Sequence, residues 1–520
     1  MWRPFRHVCP CCVARGPRRA ARPVVSPRVP RRSAPRTTVP QCVPSLHHGG
    51  PFRPPACCSV RPSTFAPPAR PREPEPSRLA GSKGTPWPAR TRPPPPPRAE
   101  PTSARRLLSG VIAALACLLY GYCSGVVAGS QLYVSRDFSL GTTAQGAVVS
   151  VFLLGAAAGA LGAGRVSDRY GRRPALLLSA LLFGAGLALA AFAPGLPLLL
   201  VGRVVQGLAA GLASAVVPVY LSEISTDRAR GRMGTLNQFM VTVGLLVSYL
   251  VALAYSSGGE WRWMFGAGLA GVALFLLALP LLPESPAWRA RGDGTARKMP
   301  GPRAALRVLT VRGVRPALLV GVGLCLLQQF CGINAVLYFA PTIIRSTGLG
   351  ASNAILYSVY IGALNVVMTM VAVELVDRWG RRPLMLLSVG LMFVALVPLG
   401  VSFMWDVPAH SLVALLCLLA YVAAFAIGLG PIVWLLLAEI FPPERRALGT
   451  AVCTTVNWLA NFVVNQFFLT LVGALGQGET FWLFAGVCLL GLGFVWHRLP
   501  ETRGRDDATI AAALGTGTVR

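Results

Sequence analysis

The sequence predicts an all-α membrane protein with twelve transmembrane helices arranged in two matched halves. Three observations predict this fold: a mean hydropathy of +0.56 with only 13% charged residues, a series of apolar segments of about 20 residues, and motifs that recur in both halves. A helix of about 20 apolar residues crosses the ~30 Å hydrocarbon core of a bilayer. The composition therefore excludes a basic soluble protein, in spite of the formal net charge of +30.

Twelve apolar segments follow one another from Leu107 onward, and each is long enough to cross a membrane as a helix. Their predicted bounds are 107–133, 145–165, 174–193, 197–222, 235–255, 262–282, 315–344, 355–376, 384–404, 412–438, 448–472 and 480–498. The loops after even-numbered spans carry clusters of Arg, as at 165–173 and 378–382, whereas the other loops carry few basic residues. We call the side of these clusters the basic side. By the positive-inside rule it faces the cytoplasm, together with both chain termini.

Three motifs of the first half recur in the same order in the second half. Residues 168–174, Asp-Arg-Tyr-Gly-Arg-Arg-Pro, return at 377–383 as Asp-Arg-Trp-Gly-Arg-Arg-Pro. Two further motifs recur around Glu223 and Glu439, and around Glu284 and Glu501. The offsets of 209, 216 and 217 residues indicate a duplicated unit. Such a duplication is typical of membrane transporters that bind their substrate between two halves.

Residues 1–104 form a basic extension rich in Pro and Arg, which the sequence predicts to be disordered. Residues 1–100 hold 19 Lys and Arg against three acids, so over half of the net charge lies there and not in the apolar region. The charge is therefore no sign of nucleic-acid binding. The extension resembles an organellar transit peptide, and an over-extended gene model is the alternative. The plasma membrane is the expected location, and a plastid or other organelle membrane follows only from a real transit peptide.

The sequence predicts no metal site and no cofactor. In the extension, Cys9, Cys11 and Cys12 lack partners at the spacing of metal ligands. The cysteines of the hydrophobic region are scattered singly. No nucleophile–base set and no phosphate-binding loop is present, which argues against an enzyme. We expect a protein that works as a monomer, with the lipid bilayer and a small neutral solute as its partners.

Amides and aromatic residues lie inside the predicted spans, where polar groups are costly and therefore indicate function. They are Gln206, Gln238, Gln328, Gln329, Asn334, Asn365, Asn457 and Asn461, with Tyr338, Trp434 and Trp458. Gln328 and Asn334 would point about 120° apart on a straight helix, so both reach one cavity only if the helix breaks near Gly332. In the tenth span, Gly428, Gly430 and Pro431 likewise permit a kink or break. Neutral donors and acceptors beside flat rings suit a polyhydroxylated neutral ligand such as a sugar. The alternative is that these amides only join helices to one another, through hydrogen bonds worth about 1 kcal/mol each.

Seven motifs together resemble the signature set of the sugar porter family of the major facilitator superfamily. They are residues 164–173, 218–223, 283–286, 328–334, 430–434, 457–458 and 500–504. The resemblance covers about 107–505. It implies two six-helix bundles, 105–285 and 316–500, that work by alternating access. A short cytoplasmic loop, 286–315, would join them, and a cytoplasmic tail, 501–520, would follow.

The resemblance also implies which residues bind the sugar and which control access to it. The sugar-binding groups would be Gln238, Gln328, Gln329, Asn334, Tyr338, Asn365, Trp434, Asn457 and Trp458. A charge network at the cytoplasmic mouth would consist of Asp168, Arg172, Glu223, Arg230, Asp377, Arg381, Glu439 and Arg446. Surface ion pairs of ~0–1 kcal/mol are the alternative for any single pair of these charges.

One departure from the family pattern bears on the mechanism. Proton-coupled sugar porters have an Asp after Gly-Tyr in the first span, where this chain has Cys123. Arg203, the expected partner of that Asp, is present. A carboxylate that gains and loses a proton beside an Arg provides proton coupling, and a thiol is a poor substitute. The sequence therefore predicts facilitative uniport of a hexose or pentose.

Other functions within the same fold stay open. A proton-coupled sugar or polyol symporter would need another acid, and Glu374 is the only one deep in a predicted span, near its end. A drug–proton antiporter of the same superfamily is a second alternative. A sensor that binds sugar without moving it is a third.

Overall fold

The computed structural model describes residues 103–225, 230–290, 314–405, 410–442, 445–505 and 507–514. Almost all of the predicted extension 1–104 lies outside the described residues, as does most of the central loop 286–315. The predictions for those segments therefore stay predictions. Within the described ranges every regular element is a helix.

Among the described residues, twelve stretches of helix are long and apolar enough to cross a membrane, and they confirm the predicted number of spans. Spans 1 to 6 are Ser103–Asp137, Thr142–Tyr170, Arg172–Ala191, Leu196–Ile224, Arg230–Ala254, and the pair Trp261–Gly266 and Gly268–Ala278. Span 6 ends in a 3₁₀ turn, Leu279–Leu281. Spans 7 to 12 are the pair Arg315–Phe330 and Ile333–Arg345, then Ala351–Trp379, Arg381–Met404, the pair His410–Ile427 and Leu429–Glu439, Arg446–Leu475, and Gln477–Arg498.

Two short helices lie outside the spans. Pro286–Ala290 follows span 6, and Asp507–Ala513 lies in the segment that the sequence predicted only as a tail. The second helix forms because its apolar residues have a partner surface: Ile510 and Leu514, one turn apart, are both buried in the apolar core.

The spans of each half pack mainly against one another. In the first half, span 4 packs along spans 2 and 3, and span 1 packs along span 5; in the second half, span 9 packs along spans 10 and 12, and span 7 along span 11. The halves meet where span 2 contacts span 11, span 5 contacts span 8, and span 1 contacts the second part of span 7. These three seams surround the middle of the molecule.

Large aromatic side chains stand exposed at both ends of the spans. Trp379, Trp496 and Tyr170 are more than half exposed at the basic side, and Trp263 and Trp405 are so at the other. Aromatic rings with one polar edge favour the membrane–water interface, and exposed Leu and Val side chains between the two levels suit lipid tails. The exposed surface of the described spans therefore fits a bilayer.

Span 7 is broken at Gly332, as the sequence predicted. The first helix ends at Phe330, and Gly332 adopts φ +89° before the second helix begins. A Cβ atom at this position would lie 2.4 Å from the ring of Phe484, so glycine is required by both backbone and packing. The hydroxyl of Tyr421 donates a 2.8 Å hydrogen bond to the carbonyl of Cys331, which the break leaves without a helical partner.

Span 10 is broken at Gly428, which also agrees with the prediction. The first helix ends at Ile427 and the second begins at Leu429. The hydroxyl of Ser388 on span 9 donates to the carbonyl of Ala424 at 2.6 Å and accepts the backbone N–H of Leu429 at 2.9 Å. One side chain thus satisfies both sides of the interruption inside the membrane.

Hydrogen bonds between the halves hold together the side opposite to the basic side. They join Tyr249 to Leu337, Ser150 to Gln466, Gln466 to Thr143, and Ser256 to Ser352, over 2.6, 2.6, 3.2 and 3.2 Å. Ser256 follows the end of span 5, and each of the other residues lies in the half of its span that is away from the Arg clusters. The seams between the halves are therefore closed on the opposite side.

Candidate functional site

Four buried or half-buried amides form a hydrogen-bonded group at mid-membrane, which we call the amide cluster: Gln328, Gln329, Asn334 and Asn457. Gln329 Nε2 donates to Gln328 Oε1 at 3.2 Å and to Asn457 Oδ1 at 3.1 Å. Asn457 Nδ2 donates to Gln328 Oε1 at 2.9 Å. Spans 7 and 11 are thus joined through neutral side chains that carry both donors and acceptors.

The break in span 7 brings the fourth amide to the others. Gln329 is in the last turn before Gly332 and Asn334 is in the first turn after it. Because the chain turns at the glycine, Asn334 Nδ2 reaches Gln329 Oε1 at 2.7 Å. Gln328 and Asn334 therefore meet in one network, as the sequence predicted for a broken helix.

The break in span 10 positions Gln328. Its Nε2 donates to the carbonyls of Leu429 and Gly430, at 3.1 and 3.2 Å, where the second helix of span 10 begins. The amide cluster therefore connects three spans, two of which are interrupted at this depth. This is the location where a duplicated transporter fold binds its substrate.

Aromatic residues stand beside the amide cluster. The ring of Trp458, which follows Asn457, lies 5.9 Å from the ring of Tyr120 on span 1, measured between centroids. Trp458 Nε1 is buried and has no hydrogen-bond partner among the described residues. Tyr338, one turn beyond Asn334, is also buried. Sequence reasoning missed Tyr120, although it begins the Tyr-Gly-Tyr-Cys motif that drew attention to Cys123.

Besides the aromatic residues Tyr338 and Trp458, three of the predicted sugar-binding residues do not join the cluster. Asn365 on span 8 is buried, Gln238 on span 5 is half-buried, and Trp434 on span 10 is 38% exposed. Within the described ranges none of the three side chains is hydrogen-bonded to the amide cluster. Their assignment to a sugar site stays a prediction.

Arg203 lies beside Cys123, as the motif suggested. Its Nη1 donates to the carbonyl of Cys123 at 2.6 Å and to Gln206 Oε1 at 2.8 Å, and its Nε donates to the carbonyl of Val148 at 3.1 Å. The guanidinium also lies 4.7 Å from the ring centroid of Phe152. Among the described residues no carboxylate contacts this buried cation, so carbonyl and amide dipoles stabilise its charge.

The first-half charges of the predicted network meet at the basic side. Arg172 Nη1 lies 2.8 Å from Asp168 and Nη2 lies 2.9 Å from Glu223, and the Arg172 side chain is only 3% exposed. The Ser285 hydroxyl donates to the same Glu223 carboxylate. These contacts tie spans 2, 3 and 4 together within the first half.

The second half repeats part of this arrangement. Arg381 Nη2 lies 3.0 Å from Glu439, and the Thr502 hydroxyl donates to that carboxylate at 2.6 Å. Arg446 Nε donates to the carbonyl of Phe441 at 3.3 Å. The side chains of Arg230 and Asp377 lie outside the described part of the structure. Each ion pair named here therefore joins spans of the same half.

Two glutamates outside the predicted charge network complete it. Glu284 accepts the backbone N–H groups of Arg172 and Arg173, and Glu501 accepts those of Arg381 and Arg382, all at 2.9–3.0 Å. Each carboxylate thus caps the first turn of span 3 or span 9, where N–H groups lack helical partners. The signal in the sequence was the third recurring motif.

The capping N–H groups also affect the pKa of Glu501. Burial opposes ionisation of the carboxyl group, but the backbone N–H groups of Arg503, Arg381, Arg382 and Thr502 favour the charged form. The net effect lowers the pKa of Glu501 from its ordinary value. Glu501 is therefore ionised in the folded protein at neutral pH, and its carboxylate accepts these hydrogen bonds.

Comparison with known proteins identifies the family. The profile of the family described as "Sugar (and other) transporter" matches residues 110–299 and 293–513. The chain belongs to the sugar porter family of the major facilitator superfamily. This family consists of membrane transporters and not of enzymes, and it has the fold that the motifs implied.

Individual relatives agree with this membership. The chain is 35% identical to a galactose–proton symporter of Escherichia coli, over 75% of this chain and 90% of the symporter. It is 34% identical to the glucose transporter GlcP of Staphylococcus epidermidis, over 78% of this chain and 96% of that one. A partially occluded, inward-open structure of the xylose transporter XylE from E. coli superposes with a TM-score of 0.67 at 30% identity, over 78% of this chain and all of XylE.

Substitution of Gly380 tests the turn between spans 8 and 9, where Glu501 caps the first turn of span 9 in this sugar porter. The Gly380 φ of +90° with ψ of 169° is open to glycine only, and an added Cβ would lie 2.8 Å from Glu501 Oε2. We expect Gly380→Ala to destabilise the protein by roughly 1–3 kcal/mol, measured by thermal unfolding in detergent. Gly162→Ala is the matched control, because a Cβ there meets no atom within 4 Å. Equal unfolding temperatures for the two variants would contradict the prediction.

The lowered pKa of Glu501 predicts a pH dependence. The carboxylate stabilises the fold fully above its pKa in the unfolded chain, about 4.3, and this contribution is lost as the pH falls through the lower folded pKa. Glu501→Gln should lower the unfolding temperature at pH 7 by about 2–4 °C, and this gap should narrow and then close as the pH falls through the lowered pKa of the folded protein. Glu374→Gln, which removes an exposed pair with Arg378 at 3.4 Å, is the control and should change little. A gap that persists in acid would refute the assignment.

Proposed function

We propose that this protein carries a neutral monosaccharide across its membrane by alternating access. The observation that carries the proposal is the amide cluster: four neutral side chains, rich in donors and acceptors, joined at the broken helices between the two halves. When a sugar binds, the amides would exchange their mutual hydrogen bonds for bonds to its hydroxyl groups. These bonds would replace the ones that the sugar loses to water. Trp458 and Tyr120 offer flat apolar faces for the ring.

The relatives support the cargo class. Their names specify galactose, glucose and xylose, three neutral monosaccharides. No acidic or basic side chain belongs to the amide cluster, so a charged substrate would find no counter-charge there. We therefore favour a hexose or pentose over the drug cations that an antiporter would carry. The remaining predicted residues, Gln238, Asn365 and Trp434, would complete the sugar site in another conformation.

The closed opposite side supports a state that opens toward the basic side. Cross-half hydrogen bonds lie on the opposite side, and the similar XylE structure is described as inward-open. With the basic side in the cytoplasm, as the Arg clusters favour, this state would exchange sugar with the cytoplasm. We place the protein in the plasma membrane, acting as a monomer with both termini in the cytoplasm.

The two charge networks support the gating role. Arg172 and Arg381 each hold the end of a neighbouring span through Glu223 or Glu439. Rigid corners of this kind would let each half move as one body when the basic side closes. Arg230, Asp377 and Arg446 belong to the same proposal, in which they would add to the charge network at the basic side.

Cys123 supports facilitative uniport as the mode of transport. The neighbouring Arg203 is stabilised by carbonyl groups and Gln206, and no described carboxylate that could gain and lose a proton contacts it. The second candidate is proton symport, because one of the relatives is a galactose–proton symporter. Accumulation against a gradient separates the two modes.

Gln328 provides the direct test of the sugar site. Replacing it removes bonds to Asn457, Gln329, and the start of span 10, so Gln328→Ala should abolish uptake while expression and folding are retained. Uptake of labelled glucose, galactose and xylose by a transport-null host measures the effect. Asn353→Ala, which changes an exposed amide at the start of span 8, is the control and should transport normally. Unchanged transport by Gln328→Ala would remove the site assignment.

Cys123 provides the test of the transport mode. In proteoliposomes the wild type should equilibrate sugar without concentrating it, whether or not a pH gradient is imposed. Cys123→Asp places a carboxylate next to Arg203 and should make the initial rate depend on pH, with Cys123→Asn as the uncharged control. Accumulation of sugar by the wild type that collapses with the pH gradient would establish symport instead.

A further inference from the structure

A polar cavity lies outward of the amide cluster, on the side of the membrane opposite to the basic side. It has a volume of about 380 Å³ and is lined by Gln131, Leu132, Ser135, Gln145, Thr342, Arg345 and Ser346. These residues come from the ends of spans 1 and 7 and the start of span 2, so both halves contribute. Ligand pockets in proteins begin at roughly 300 Å³. We call this cavity the outer cavity.

Buried polar atoms in the outer cavity lack partners. Gln131 is 1% exposed, and its Nε2 donates to the carbonyl of Gln145 at 3.2 Å. Its Oε1 accepts no hydrogen bond from any described residue, and neither does the Thr342 hydroxyl. An unpartnered buried amide oxygen costs free energy, so a residue that only packs would more readily be apolar at this position.

The unpartnered atoms continue from the outer cavity toward the site. Asn465 Oδ1 on span 11 is buried without a partner in the described part of the chain, and so is Trp458 Nε1 beside the amide cluster. The polar side chain of Ser124 on span 1 is also buried. Apart from Trp458, these residues lie on the outer side of mid-membrane in their spans. Unpartnered polar atoms are therefore present in span 11 at depths between the outer cavity and the amide cluster.

The chemistry of the outer cavity selects the ligand class. Gln131 Oε1 requires a hydrogen-bond donor, and the exposed guanidinium of Arg345 offers donors. A fully ionised anion would satisfy Arg345 but supplies no donor for Gln131. A sugar hydroxyl both donates and accepts, so a polyhydroxylated neutral ligand can satisfy the two groups together.

We propose that the outer cavity is a second monosaccharide site, which holds the sugar at the outer mouth while the seam to the amide cluster is closed. The inference rests on the proposed function, because it assigns the same cargo to a second position on its path. Sugar would pass from Gln131 and Thr342 to the amide cluster when the seam opens, along Asn465 and Ser124. The outer site is thus accessible in the state in which the central site faces the other side.

The test uses the full chain in nanodiscs, with Gln328→Ala to disable the central site. Ser346→Cys, at the exposed rim of the outer cavity, reports occupancy through its rate of alkylation by a maleimide. D-Glucose, D-galactose or D-xylose should slow alkylation about twofold at a concentration near the dissociation constant. The same protein without Ser346→Cys gives the background from native thiols.

Two substitutions locate the binding groups. Gln131→Leu and Thr342→Val, each added to the reporter protein, should weaken the protection by about tenfold in sugar concentration. Thr347→Val is the matched control: it removes a hydroxyl from the same helix end that already donates to the carbonyl of Ile344 at 2.7 Å, so protection should persist. Alkylation of Asn353→Cys, an exposed residue on the same side, should not respond to sugar.

The outcomes separate this site from the proposed function. Absence of protection by any of the three sugars, in a protein whose wild type transports one of them, overturns the outer site and leaves the function intact. Protection that Gln131→Leu and Thr342→Val do not weaken also overturns it. Protection by inorganic phosphate and not by sugar would replace it with an anion site. Failure of the wild type to transport any sugar contradicts the proposed function itself.

Discussion

The satisfaction of backbone polar groups inside the membrane is the constraint on which the site depends. An interrupted helix leaves carbonyl and N–H groups without partners, and the hydrocarbon core offers none. Here Tyr421 completes the break in span 7 and Ser388 completes the break in span 10. Because these two side chains stabilise the interruptions, Gln328 and Asn334 can enter one network. The amide cluster therefore depends on the hydrogen bonds that Tyr421 and Ser388 make to the backbone at the two breaks, and not only on the amides themselves.

The duplication has produced the same structural corner twice. In each half a glycine with positive φ, Gly171 or Gly380, ends one span, and a glutamate caps the first turn of the next. An arginine in that turn then pairs with a third span of the same half. Such a corner couples three helix ends through charge-assisted hydrogen bonds, which are stronger than those between neutral groups. Each half is therefore stiff at the basic side, where alternating access requires the two halves to separate.

The sequence allowed the spans, both helix breaks, and the members of the amide cluster to be predicted, because hydropathy, glycine and intramembrane polarity are local signals. It did not reveal that Tyr421 and Ser388 cap the breaks, since each partner lies 36 to 90 residues away and a buried Tyr or Ser is ordinary in a helix. Glu284 and Glu501 were visible as recurring motifs, but their capping role depends on how spans 3 and 9 approach them. Tyr120 was overlooked because aromatic residues in apolar spans are common.

Arg203 shows how a fixed charge constrains the energetics of the transport cycle. A buried guanidinium keeps its proton, and here carbonyls, Gln206 and the Phe152 ring surround it in place of a carboxylate. No carboxylate among the described residues contacts Arg203, so proton binding at this position would not favour one conformation over another. A ligand shifts an equilibrium only by its differential affinity for the two states. Under the uniport proposal the sugar alone supplies that difference, and net flux must then follow the sugar gradient.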